Sequence, residues 1–239
     1  MVEVPAGAFW MGANKDGTQC PTNALDGQAE ADEVPCHQVT VPAFRIDKYE
    51  VTVAAYKACV DAGACTTPSA CFTYSPWGVI GKEQYPVDCV TWIQAQQHCF
   101  WTGRRLCSEA EWEKAARGTD GRLYPWGDQA ATCDYAVMGG CGNQSMQPVG
   151  SKNADVSPFG AMDMGGNVRE WVQDWNYGSY NGAPTDGTAW EIPSGSARVT
   201  RGGCYDGGAA YARTASRYLL VPTAAATDVG VRCCTALEP

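Results

Sequence analysis

Thirteen cysteines and two histidines, His37 and His98, are the side chains of this sequence best able to ligate a metal or cross-link the chain. Their spacing narrows the chemistry. No Cys-x-x-Cys pair occurs, and two histidines do not supply the regular Cys/His pattern of a zinc site. Thirteen thiols in 239 residues are too many for a cytosolic enzyme, whereas disulfides in an oxidising compartment account for them. An extracellular or periplasmic setting is therefore expected. The count is odd, so at least one thiol is free, modified or paired outside the chain. Cys20 with Cys36, Cys133 with Cys141, and a pair among Cys59, Cys65 and Cys71 are spaced for local bridges. Further on, Cys204, Tyr205, Asp206 and Tyr211 offer nucleophiles and an acid, but no base–nucleophile pair is evident beside them.

The elements that must position these groups are short. Composition points to one sizeable domain over 1–239: hydrophobic residues make up 45%, which excludes a disordered chain. The 27 glycines, 14 prolines and nine tryptophans predict a loop-rich fold resting on turns and aromatic packing. Net charge is −9 and no run of Lys or Arg exceeds two, which disfavours nucleic acid; the acidic balance suits calcium or plain solubility. No stretch of eighteen apolar residues could span a membrane. Residues 2–12 read as strand, turn and strand around Pro5-Ala-Gly7, and 14–35 as a long polar loop. Residues 38–47 alternate as one strand. Thr52 caps a helix to about residue 61, stopped by Gly63, and Thr91 caps another to about residue 101, ended by Gly103. Ser108 and Glu111 form a capping box for a third, with Arg117 near its C-terminal dipole. Beyond Gly118 periodicity fades, with short strands near 164–174, 198–203 and 230–234.

Eight ordered segments carry a family resemblance. They are Val4-Pro-Ala-Gly-Ala-Phe-Trp-Met-Gly12, Lys48-Tyr-Glu-Val-Thr52, Tyr85-Pro-Val-Asp-Cys-Val-Thr-Trp92, the stretch from Trp101 to Arg117, Leu123-Tyr-Pro-Trp-Gly127, Asp163-Met-Gly-Gly-Asn-Val-Arg-Glu170-Trp-Val-Gln-Asp-Trp175, Arg201-Gly-Gly-Cys204 and Val229-Gly-Val-Arg-Cys233. Together they resemble the formylglycine-generating enzyme (sulfatase-modifying factor) family across nearly the whole chain. The resemblance implies an α+β, C-type-lectin-like fold with low regular secondary structure, two main helices and small, mostly antiparallel sheets. It implies calcium at Asp163, Gly166, Val168 and Glu170, where a tight turn aims carbonyls and two carboxylates supply charge. A second calcium would fall near Asp134 and Tyr135, but Cys141-Gly-Asn-Gln-Ser145 lacks the Asp that should complete it. It implies a Cys99–Cys233 disulfide. Cys107 stands where the family has Pro, and Cys234 follows Cys233, which makes these two candidate partners.

One family feature is missing. The oxidases carry two cysteines shortly after the Arg-Gly-Gly segment, which bind copper(I); here 206–213 contains none, and Cys204 replaces a serine. Copper oxidase chemistry is therefore not expected. Two histidines also cannot furnish the iron site of the related sulfoxide synthases. The expected function is a non-catalytic module binding a protein or small ligand. Its ligand would meet Tyr205, Asp206, Tyr211, Arg213 and Tyr218, within the stretches 205–211 and 218–228. One alternative is a variable binding protein diversified by a retroelement; another is an enzyme of the wider family with altered oxidoreductase chemistry. Trp92, Trp112, Trp126, Trp171 and Trp175 are expected in the core. One or two of Arg201, Arg213, Arg217 and Arg232 should pair with Asp174 or Glu170, leaving the others for a cleft.

Overall fold

A computed structural model of the protein describes residues 1–18, 20, 24–69, 71, 75–142 and 145–237. Three helices stand where the capping signals put them. In α1 (Val53–Asp61) the Thr52 side chain accepts from the Ala55 amide. A Thr91/Gln94 box starts α2 (Trp92–Trp101), and a Ser108/Glu111 box starts α3 (Glu109–Arg117). Each box satisfies amides that the first helical turn leaves open. There are thus three principal helices rather than two, because α1 turns Tyr56 and Cys59 inward and packs as a full member of the fold.

Among the described residues, ten strands complete the framework: β1 (Val2–Val4), β2 (Gly7–Met11), β3 (His37–Val41), β4 (Phe44–Ile46), β5 (Arg105–Leu106), β6 (Arg169–Trp175), β7 (Arg198–Arg201), β8 (Arg217–Leu220), β9 (Val229–Val231) and β10 (Cys233–Ala236). They form sheets ordered β1-β4-β10-β5, β2-β3 and β8-β7-β6-β9. All pairings are antiparallel except β6 with β9. β1 and β2 are the two strands expected over 2–12; β1 joins β4 and β2 joins β3. One expectation changes. The single strand expected over 38–47 is two strands in different sheets, broken at Pro42-Ala43, where proline offers no amide to a ladder.

The core surrounds α3. Trp112, Ala115 and Ala116 pack against Phe9, Val39, Val41, Phe44 and Ile46, and a second cluster places Tyr56, Leu106 and Trp171 around α2. All nine residues of α3 are buried, charged ones included. Lys114 donates to the carbonyls of Pro5 (2.7 Å) and Gly7 (2.8 Å), so its charge closes the β1–β2 turn. Trp92, Trp112 and Trp171 are core residues as expected, while Trp126 and Trp175 are only half-buried.

Five disulfides bind these parts. Cys20–Cys36, Cys59–Cys65 and Cys133–Cys141 are local; Cys99–Cys233 and Cys107–Cys234 tie α2 and the entry of α3 to β10. Cys71, Cys89 and Cys204 remain thiols. The two long bridges span 134 and 127 residues but share their C-terminal anchor. One alone constrains the unfolded chain by about 5 kcal/mol in the chain-entropy model; once it exists, the other closes only about ten residues and adds about 2–3 kcal/mol. Serine replacement of either pair is expected to cost about 2–3 kcal/mol, and of both about 7 kcal/mol. Urea midpoints of the two double variants and the quadruple variant check this; strictly additive costs would contradict it.

Candidate functional site

The loop ahead of β6 is built by close backbone approach. Asp163 and Asn167 lie in the left-handed region, with φ of 63° and 66°, a conformation Asp and Asn tolerate better than most residues. A Cβ at Gly166 would fall 2.5 Å from the Val137 carbonyl oxygen, and one at Gly203 would fall 2.3 Å from that of Gly165. The two signature segments thus stack main chain on main chain, and only glycine permits it. Asn167 ties the surroundings together. Its side-chain amide donates to Glu50 Oε1 (3.1 Å) and its Oδ1 accepts from the Gln147 amide (2.9 Å). Its backbone N–H donates to Val137 O, and its carbonyl accepts from the Tyr205 amide.

This loop sits among buried carboxylates. Glu50, Asp155, Asp163 and Glu170 are all inside, and Arg232 is the arginine that faces them. Glu170 receives Arg232 Nε (2.9 Å) and Nη2 (2.7 Å) and also Trp112 Nε1 (2.6 Å). Glu170, expected as a calcium ligand, is therefore committed to an ion pair. Asp163 accepts from the Gly150 amide (2.5 Å), and Asp155 from that of Gly165 (3.2 Å). Burial, reinforced by the Asp163 charge, pushes the carboxyls of Glu50 and Asp155 well above the usual range. Burial also raises Asp163. Gly166 and Val168 are buried on the same loop.

The neighbouring cleft begins at Cys204, which is fully buried, its thiol pushed up to about 12 by burial. Its sulfur and the carboxylates of Asp206 and Asp228 lie within 4.8 Å of one another. Arg169 pairs with Asp228 and lies over two rings, with Tyr211 at 5.6 Å and Tyr218 at 4.1 Å. Cys89 does not join Cys204; its thiol contacts Cys71, and burial pushes it above its ordinary range. Beside it Asp88 is fully buried. One of its oxygens accepts from Ser75 Oγ at 2.5 Å, the other has no partner, and burial lifts the carboxyl to about 6.

The expected ligand surface divides. Tyr211 (36% exposed), Tyr218 (46%) and Asp206 face outward. Tyr205 is buried with its hydroxyl 3.3 Å from Thr227 Oγ1. Arg213 is buried in ion pairs with Asp26 (2.5 Å) and Glu33 (2.7 Å), so it lines no surface. Leu219 and Val221, within the 218–228 stretch expected to meet ligand, are both half exposed on and beyond β8, which is a sheet edge. Of the arginines, Arg232 takes Glu170 as expected, but Asp174 takes none. It instead accepts from the Glu109 amide at the start of α3 (2.7 Å) and from that of Trp190 (2.8 Å). Arg201 pairs with Glu113 and Arg217 with Glu109. Asp134 is exposed and joins no group of three ligating side chains among the described residues; Tyr135 stacks on Trp126.

Comparison with known proteins adds four relationships. A family described as the sulfatase-modifying factor enzyme 1-like domain matches residues 1–237. The formylglycine-generating enzyme of Mus musculus is 29% identical, over 98% of this chain and 74% of its own. The structure of PvdO from Pseudomonas aeruginosa superposes with a TM-score of 0.81 at 28% identity, covering 98% of this chain and 93% of that one. Variable protein 1 of Treponema denticola shares the fold, with a TM-score of 0.73 at 23% identity over 98% and 94% of the two chains.

The buried Asp88 yields a pH dependence. Its native carboxyl titrates near 6, above the usual range for an unfolded chain, so the native state holds this proton more tightly. For this group, stability is greatest below about pH 4, declines as pH rises toward 6 and is level above. Asp88→Asn is expected to flatten that decline. Urea midpoints at acid and neutral pH should differ less in the variant than in the parent; an unchanged difference would remove Asp88 as the cause.

Proposed function

The chain belongs to the sulfatase-modifying factor family, and from that premise we propose that it is a binding module in which the copper oxidase chemistry is absent. The family fold serves catalysts and variable binding proteins alike, so the site must decide. The deciding observation is the state of the thiols. Copper(I) needs soft thiolates held together. After Arg201-Gly-Gly, this chain offers Cys204 alone, buried and with its thiol raised to about 12, while Cys89 turns toward Cys71. These residues do not fit copper.

What the site does present is a face. Tyr211 and Tyr218 flank Arg169, Leu219 and Val221 extend the apolar area along the β8 edge, and Asp206 adds charge. Tyrosines around a held cation give broad amphipathic contact at low entropic cost. Five disulfides agree with an oxidising compartment, and we place the protein outside the cell or in a periplasm. Calcium is proposed as a structural ion at the 163–170 loop, with Asp163 as the carboxylate that no arginine holds.

Two experiments test the reading. With copper(I), oxygen and a Cys-x-Pro-x-Arg peptide, no aldehyde is expected; appreciable aldehyde would overturn the loss of oxidase chemistry. A photo-crosslinking residue at position 218 should capture a discrete partner in the native compartment, whereas one at exposed Phe100 should not. Capture at 100 but not 218 would place the binding face elsewhere.

A further inference from the structure

We propose that Cys71 and Cys89 are an oxidisable pair that closes a sixth disulfide by thiol–disulfide exchange, with Cys71 as the attacking sulfur and Cys89 as the resolving one. The inference is independent of the binding face and rests on the anchors that place Cys71. Gln94 Nε2 on α2 donates to Thr66 Oγ1 (2.9 Å) and Thr67 O (2.8 Å). The Ser69 amide donates to the carbonyl of Cys89 itself (2.9 Å), and the Cys71 amide to Ser69 O (2.8 Å). Further on, Ser75 Oγ donates to Asp88, the residue before Cys89 (2.5 Å). Cys71 is thus flanked in sequence by contacts to Cys89 and to its neighbour, and the two thiols are in hydrogen-bond contact. A disulfide needs its two residues brought together in this way. Cys89 is the fixed member: it is fully buried, its φ is 57°, and its amide donates to Ala226 O (3.1 Å). Half-buried Cys71 is the one that solvent and a reactant can reach.

The surroundings set the order of events. Burial raises both thiols; their mutual contact then lowers Cys71 and raises Cys89 further, so Cys71 gives up its proton first. The oxidant is a small or protein disulfide. The Cys71 thiolate attacks one of its sulfurs, a mixed disulfide forms, and the first thiolate leaves. Asp88 lies beside Cys89 and keeps one carboxylate oxygen without a partner, so it can accept the Cys89 proton. The Cys89 sulfur then attacks that of Cys71 and releases the second thiolate. Two electrons pass to the donor disulfide, and the two cysteine protons end on the two thiols it becomes. The pairing also accounts for the odd cysteine count. Five bridges leave Cys71, Cys89 and Cys204 as thiols, and a sixth leaves Cys204 alone.

The test uses the full chain with oxidised glutathione as the probe. After incubation, the protein is unfolded in N-ethylmaleimide without reductant and digested. Cys204 alone should be labelled, and a peptide linking Cys71 to Cys89 should appear. Label on both Cys71 and Cys89, with the five other bridges intact, overturns the proposal, as does a peptide linking either one to Cys204. Two variants then check the order of attack. Cys89→Ser lacks the resolving sulfur and should accumulate glutathione on Cys71; Cys71→Ser should carry none on buried Cys89. Glutathione on Cys89 in Cys71→Ser, with none on Cys71 in Cys89→Ser, overturns the assigned roles. The result for the parent chain stands whether or not either variant folds.

Discussion

Four buried arginines near the end of the chain dictate where much of its acidic sequence must go. Arg201, Arg213, Arg217 and Arg232 have almost no contact with solvent. A guanidinium in that position is tolerated only with carboxylates and carbonyls around it. The partners come from far away: Glu113 on α3, Asp26 and Glu33 from the N-terminal loop, Glu109 at the start of α3, Glu170 on β6. This explains why α3 is charged yet wholly enclosed. Glu113 alone accepts from Gly12, Arg117 and Arg201, so one side chain joins the first strand pair to the third sheet. Packing around such a hub is fixed in direction as well as in distance.

What the sequence made legible was local. Thr52, Thr91 and Ser108 announced three helix starts because a capping side chain acts within three residues of itself. Cys20–Cys36 and Cys133–Cys141 followed from short spacing. Long-range choices carried no such signal. Asp174 was a reasonable arginine partner on charge alone, but it faces the first amide of α3. Arg213 sits one residue past a short 3₁₀ turn and could have pointed either way; Asp26 and Glu33, about 180 positions earlier, draw it inward. Tyr205 and Tyr211 looked alike as binding residues, and only the fold separates the buried one from the exposed one. The setting of Glu50 was equally invisible, since Asn167, which donates to its Oε1, and Asp163 come from a loop more than a hundred residues away.

The candidate regions are thus held by loops whose precision comes from main-chain contact. Gly165, Gly166 and Gly203 let two irregular segments touch, and Tyr205 is fixed through its amide to Asn167. Tyr211 and Tyr218 lie outward of this base, half exposed and resting on Arg169.

The shared anchor of the two long disulfides bears on how the protein matures. A chain is made from its N-terminus, so Cys20 can find Cys36, and Cys59 can find Cys65, soon after each emerges. Cys99 and Cys107 have no such option. They must wait, reduced, until residues 233 and 234 have been made. During that interval Cys71, Cys89 and Cys204 could capture them wrongly. Pairing of β10 between β4 and β5 brings the right sulfurs together. A chain cut just before residue 233 would lose its clasp rather than a frayed end, and would present a cell's oxidative quality control with waiting thiols.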